Sequence, residues 1–138
     1  MKNNMMKEYI DSNIFIQAII RNDPDCIRVL EKIINKDFIS ITSILSWDEL
    51  TYIINKFIDR EIAVSEGEKY LQFPNLNFID AKKEIIVKAQ NLLKKYNIKP
   101  RDAIHAATAL HSGVTEIISE DSDFDKIIEI KRIDPKDL

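Results

Sequence analysis

Short apolar runs alternate along this chain with stretches of helical periodicity, and the first pair sets the pattern. Tyr9-Ile10 stops at Asp11, the polar pair Ser12-Asn13 follows, and Ile14-Phe15-Ile16 opens a helix-like repeat. An apolar run that ends in an acid and passes at once into helical spacing reads as a strand-to-helix turn carrying a carboxylate. Ligands of open α/β sheets sit outside the carboxyl ends of the strands, so an acid there points toward the place where chemistry is done.

The alternation continues to the end. A strand over residues 6–11 and a helix over 13–21 are followed by Asp23-Pro24, an N-cap and a first-turn proline, which open a helix over 24–35. A strand over 38–41 leads to Thr42 or Ser43 as the cap of a helix over 44–58, whose Trp47, Leu50, Ile53, Ile54 and Phe57 make one apolar arc. Ser65-Glu66-Gly67-Glu68 has the capping-box form and predicts a short helix over 66–73 that Pro74 ends. Next come a strand over 76–79, a helix over 81–96 capped by Asp80, and a helix from Pro100 through Leu110 with Gly113 as its C-terminal cap. Strands over 115–118 and 129–133 complete the set. Such alternation through short connections implies an α/β fold, a three-layer α/β/α sandwich around a central, mostly parallel sheet of about five strands. With 138 residues and no linker or repeat, the chain is expected to form one domain, 1–138.

Composition removes several kinds of function. No apolar run approaches the roughly 18–20 residues that cross a bilayer, and the lysine-bearing N-terminus has no long apolar segment, so a cytoplasmic protein is expected. Cys26 is the single cysteine, which leaves no intrachain disulfide and no multi-cysteine metal site; it reads as a packed helix residue. Gly67 and Gly113 are the only glycines, too few for a phosphate loop or a dinucleotide turn. A net charge of -3 means that a polyanionic partner must be drawn in by local basic residues or by metal ions.

The acids fall where strand ends and helix starts should meet. Asp11 ends the first strand, Glu49 lies in the helix after the second, Asp102 opens the helix begun by Pro100, and Asp121 and Asp123 follow the strand that ends at Ser119. Carboxylates gathered on one sheet edge repel one another unless a divalent cation lies between them. An all-oxygen donor set suits magnesium or manganese and not zinc, and such an ion can activate water for attack on a phosphodiester. Each acid also has a plain structural reading: Asp11 as a helix cap, Asp102 as a favourable charge at a helix start, Asp48 or Glu49 as solvated. Helical spacing leans toward Glu49 over Asp48. His105 reads as a packed or hydrogen-bonded core histidine without an assigned role, His111 as solvated, Trp47 and the phenylalanines as core, and the lysines of 83–95 as a solvated face, with contact to RNA backbone as the lesser alternative.

At these residues the whole chain resembles the PIN-domain family of VapC-type toxin ribonucleases. Asp11-Ser12-Asn13, Glu49-Leu50, the alanine-rich helix opened by Arg101-Asp102-Ala103, and Asp121-Ser122-Asp123-Phe124 follow that family's motifs in order. The resemblance implies that Asp11, Glu49, Asp102 and Asp121 form a catalytic Mg2+ or Mn2+ site, with Asp123 as a fifth ligand and Ser12 or Asn13 orienting the ligands. It further implies an endoribonuclease of single-stranded RNA, a homodimer, and an antitoxin protein as partner in a toxin-antitoxin pair. Two alternatives stay open: a PIN nuclease of ribosomal RNA processing, and a non-catalytic RNA- or protein-binding PIN module. An acidic phosphoacceptor of the flavodoxin-like type would need a strand-end lysine, for which Lys126 and Lys131 are poorly placed.

Overall fold

The structure, a computed structural model, describes residues 5–138; residues 1–4, the start of the N-terminal stretch read above, lie outside the described residues. The strands are β1 (Lys7–Ile10), β2 (Ile39–Ser43), β3 (Leu76–Ile79), β4 (Glu116–Ile118) and β5 (Lys131–Ile133). They form one wholly parallel sheet in the order β3-β2-β1-β4-β5. β1 is therefore central, and the chain builds outward from it on both sides. This order differs from the 2-1-3-4-5 order of flavodoxin-like domains, which removes the phosphoacceptor reading.

Six helices cover the sheet: α1 (Ser12–Arg21), α2 (Pro24–Ile34), α3 (Ser46–Phe57), α4 (Arg60–Leu71), α5 (Lys83–Lys95) and α6 (Pro100–His111). Successive strand residues enter opposite cores. Tyr9 and Ile117 join Ile85, Leu92, Ala106 and Phe124 under α5 and α6, while Ile10 and Ile118 join Ile14, Val29, Leu50 and Tyr70 under α1 to α4. Both faces are buried, which explains strands that read as continuous apolar runs rather than alternating ones. The alanines of α6 matter for placement: Ala103, Ala106, Ala107 and Ala109 are fully buried, and with no longer side chains between them the helix axis lies close to the sheet. Gly113, at φ 74°, ends α6 in the left-handed conformation, and the N–H of Val114 closes back onto the carbonyl of Ala109.

The element order follows expectation, with several shifted boundaries. The capping box does not cap: the helix begins at Arg60, where Asp59 accepts the N–H of Ile62 at 2.8 Å, and Ser65 and Glu68 lie mid-helix. A good cap nearly two turns earlier captured the start. α3 starts at Ser46, since the Thr42 hydroxyl donates across the sheet to the Ile10 carbonyl and Ser43 Oγ accepts only from the N–H of Leu45. α5 starts at Lys83 with no side-chain cap, Asp80 contributing only its backbone carbonyl to the N–H of Lys82. Trp47 and Phe57 are 42% and 65% exposed and so are not core; only Leu50 and Ile54 of the expected arc are fully buried. A short 3-10 turn, Ser122–Lys126, which the apolar pattern did not announce, follows β4. No helix among the described residues is long and apolar enough to cross a membrane.

Candidate active site

Asp11 leaves the sheet at the carboxyl end of β1. Its own N–H still continues the ladder to the Ile118 carbonyl at 3.1 Å, while its side chain caps α1 by accepting the N–H of Asn13. Ser119, the residue after β4, lies beside it. The Ser119 hydroxyl donates to Asp11 Oδ2 at 2.6 Å, and its oxygen accepts the Asp121 N–H at 2.9 Å and the Asn13 amide at 3.3 Å. One buried serine thus ties the ends of two neighbouring strands and the first turn of α1 into a single cradle. Sequence reasoning missed Ser119, because a serine after a strand carries no periodic or chemical signal of its own.

Two groups of acids meet at this cradle. In the first, Asp11 and Glu49 share neighbours: Ser12 Oγ stands 3.4 Å from an oxygen of each and has one proton to give. His105 Nε2 lies 2.5 Å from Glu49 Oε1 and 3.8 Å from Asp11 Oδ1. In the second, ligand oxygens of Asp102, Asp121 and Asp123 all lie within 4.8 Å of one another. Asp121 caps the 3-10 turn by accepting the Asp123 N–H at 2.9 Å, which sets the two carboxylates side by side. Asp123 also pairs with Lys126 at 3.2 Å. Asp48 is exposed and paired with Arg101 at 3.5 Å, while Glu49 is the α3 acid that reaches His105.

The electrostatics report crowding. Asp102 is 7% exposed, and its carboxyl is pushed up to about 6, first by burial and then by the charges of Asp121 and Asp11. Its Oδ2 is buried with no hydrogen-bond partner among the described residues. Burial likewise raises Asp11, although His105 and the Ser119 hydroxyl pull the other way. For His105, burial disfavours the charged ring, but the Glu49 hydrogen bond and the charges of Asp11, Glu49 and Asp102 outweigh it and raise the ring to about 9. A buried carboxylate oxygen with no donor, facing two further acids, is what a divalent cation would satisfy; the donor set is all oxygen, as magnesium and manganese require. The residues present therefore fit such an ion.

Beside Glu49 and His105 opens a recess of about 170 Å³, lined also by Leu45, Asp48, Arg101 and Ile104. Arg101 sits at its rim, its guanidinium 5.9 Å from the ring centre of the exposed Tyr52.

Comparison with known proteins gives the family and the fold. The family model of the PIN domain matches residues 9–130. A curated relative named Ribonuclease VapC6, from Methanocaldococcus jannaschii, is 25% identical over 140 aligned residues, covering 86% of this chain and 91% of the relative. Among solved structures, the DNA-bound VapBC of Salmonella typhimurium superposes with a TM-score of 0.75 at 20% identity, covering 95% of this chain and 99% of that one. VapC20 of Mycobacterium tuberculosis, a sarcin-ricin loop cleaving toxin, gives 0.73 at 14% identity over 86% of this chain and 92% of that one. These two likenesses speak to the fold.

Proposed function

This chain belongs to the PIN-domain family, and we propose that it is a metal-dependent endoribonuclease that hydrolyses single-stranded RNA, the toxin of a toxin-antitoxin pair. The observation that carries the chemistry is the buried Oδ2 of Asp102, unpartnered among the described residues, beside Asp11, Asp121 and Asp123. In this reading residues 1–138 act as one domain in the cytoplasm. Asp11, Glu49, Asp102 and Asp121 hold Mg2+ or Mn2+, and Asp123 joins them. Bound there, the ion would neutralise phosphodiester charge and lower the pKa of a water.

The chain's own residues do the rest. Ser119 fixes the Asp11 carboxylate through a short hydrogen bond, and Asn13 fixes Ser119. Ser12 has its single proton to offer to Asp11 or Glu49, so it can hold either carboxylate in place. Arg101, at the recess rim, supplies a positive charge for the phosphate backbone of the substrate, which a protein of net charge -3 must attract locally. The likeness to VapBC complexes supports an antitoxin as partner. Exposed Trp47, Tyr52, Val64 and Leu71 on α3 and α4 offer apolar surface for self-association as a homodimer, which sedimentation at micromolar concentration tests against a single monomeric species.

The decisive experiment is cleavage of a labelled single-stranded RNA with magnesium or manganese added, and again in excess EDTA. The expected result is cleavage that requires the ion and stops with the chelator. An undiminished rate in EDTA removes the metal mechanism.

A further inference from the structure

His105 stands in a row of hydrogen bonds that runs from the sheet into the acidic site. The backbone N–H of Ser43 donates to Tyr9 Oη at 2.9 Å, Tyr9 Oη lies 2.5 Å from His105 Nδ1, and His105 Nε2 lies 2.5 Å from Glu49 Oε1. Every member but the last is sealed from solvent: Tyr9 is 0% and His105 2% exposed. The rings of Tyr9 and Phe124 meet the imidazole edge-on, with centroids 5.5 and 6.4 Å away. The imidazole is therefore clamped by two aromatic edges.

Donor accounting gives the row a direction. A backbone N–H can only donate, so the phenol oxygen of Tyr9 accepts from Ser43 and has its own proton left to place. Nδ1 of His105 lies within hydrogen-bond reach of that oxygen. In either protonation state Nε2–H faces the Glu49 carboxylate: a neutral ring accepts from Tyr9 Oη at Nδ1, and the charged ring that the neighbouring carboxylates favour donates Nδ1–H to Tyr9 Oη instead.

The same accounting shows why Glu49 needs this. Asp11 is fixed by Ser119 and by its cap, and Asp121 is fixed by its turn, but Glu49 is a longer side chain on a helix surface whose other neighbour, Ser12, lies at 3.4 Å. We propose that His105 is the positioning residue of the acidic site, its Nε2–H holding the Glu49 carboxylate toward Asp11 and its ring oriented in turn by the Tyr9 hydroxyl. This rests on the metal-site reading above. The row acts through Glu49 and touches neither RNA nor the reacting phosphate.

The test compares wild type with His105→Leu, His105→Gln, Tyr9→Phe and the double variant Y9F/H105L. Mn2+ affinity is read by calorimetric titration, and RNA cleavage is read separately at saturating Mn2+. His105→Leu, which fills the space but donates nothing, is expected to weaken Mn2+ binding about 10- to 100-fold. Gln, whose amide N–H can reach toward Glu49, should recover most of that loss. Y9F should weaken binding less, and the double variant should be no weaker than H105L, because Tyr9 acts only through the ring. Wild-type Mn2+ affinity in folded H105L overturns the proposal, as does full additivity of Y9F and H105L. If H105L does not fold, Y9F decides: unchanged Mn2+ affinity there overturns the proposal as well. Wild-type protein that neither binds Mn2+ nor cleaves RNA would remove the metal-site reading itself, and this inference with it.

Discussion

Asp11 Oδ2 accepts a hydrogen bond from the Ser119 hydroxyl at 2.6 Å, though 108 positions separate the two residues. Parallel pairing of β1 with β4 is what makes them neighbours, with Tyr9 opposite Ile117 and Ile10 opposite Ile118. Ser119 therefore links the end of the central strand to the turn carrying Asp121 and Asp123.

Ser119→Ala tests that coupling. It leaves Asp11 Oδ2 without its donor and the buried side of the Asp121 N–H without its acceptor, which should cost about 1–3 kcal/mol in chemical unfolding of the metal-free protein. Mn2+ affinity should fall as well, since the Asp121 turn loses its anchor. A variant of unchanged stability and unchanged Mn2+ binding would show that the link carries no load.

Asp102 makes the metal-free protein sensitive to pH in a stated direction. Its carboxyl is raised from 3.8 to about 6 by burial and by Asp121 and Asp11, so the stability that its neutral form contributes is fully present below about 3.8 and is lost as pH rises through about 6. In EDTA, melting between pH 4 and 7 should reveal a loss on the order of 2–3 kcal/mol from this group. Asp102→Asn should remove that part of the slope while abolishing cleavage. The same slope in wild type and variant would mean that Asp102 is not under strain from its neighbours.

Glu8 poses the opposite end of the same sheet as a second test. It is 6% exposed, its Oε2 has no partner among the described residues, and its carboxyl is pushed up to about 8, first by burial and then by a hydrogen bond to and the charge of Glu116, against the pull of Lys131. The stability contributed by the neutral form is complete below about 4.5 and is lost as pH rises through about 8. Glu8→Gln should therefore be more stable than wild type at pH 9, on the order of 2–4 kcal/mol, and should differ little at pH 5. Equal melting of the two proteins at pH 9 would contradict a buried carboxyl here.

The strand-helix alternation and the acids at its turns were legible because both are local. A strand end is marked by where apolar residues stop, and Asp11, Asp102 and Asp121 each sit at such a stop or at a helix start. What local pattern could not supply was competition between caps. Ser65 and Glu68 have the right spacing, yet Asp59 captures the helix first. Nor could it supply contacts made across the sheet. Thr42 looked like a cap and instead bonds the Ile10 carbonyl, and His105, readable as a packed or hydrogen-bonded core residue, gave no sign that its partners would be Tyr9 and Glu49, 96 and 56 positions away. Trp47 had the period of a core residue but lies on the outer side of α3, facing α4 only at its edge, where the missing Cβ of Gly67 makes room for the indole nitrogen.

The assignment of the acids rests on a comparison of stability and activity in the same variants. Asp11→Asn, Asp102→Asn and Asp121→Asn each relieve repulsion in a crowded site, so the metal-free proteins should melt at or above the wild-type temperature, whereas Glu49→Gln also removes the partner of His105 and is judged on cleavage and the manganese shift alone. Asparagine caps helices as well as aspartate, so losing the α1 cap does not confuse the result at Asp11. Cleavage should nonetheless collapse in all four. Manganese supplies the discriminating readout: an ion that binds only the folded state raises stability by about 2.7 kcal/mol at ~100 times its Kd, and a broken site loses that increment. Asp59→Asn and Asp137→Asn are the controls. Asp59 caps α4, a role asparagine fills equally, and Asp137 is exposed near the C-terminus, so neither should alter cleavage or the manganese shift. If Asp11→Asn and Asp102→Asn keep full cleavage and the full manganese shift, these carboxylates hold no metal, and the acids at the strand ends are only helix caps.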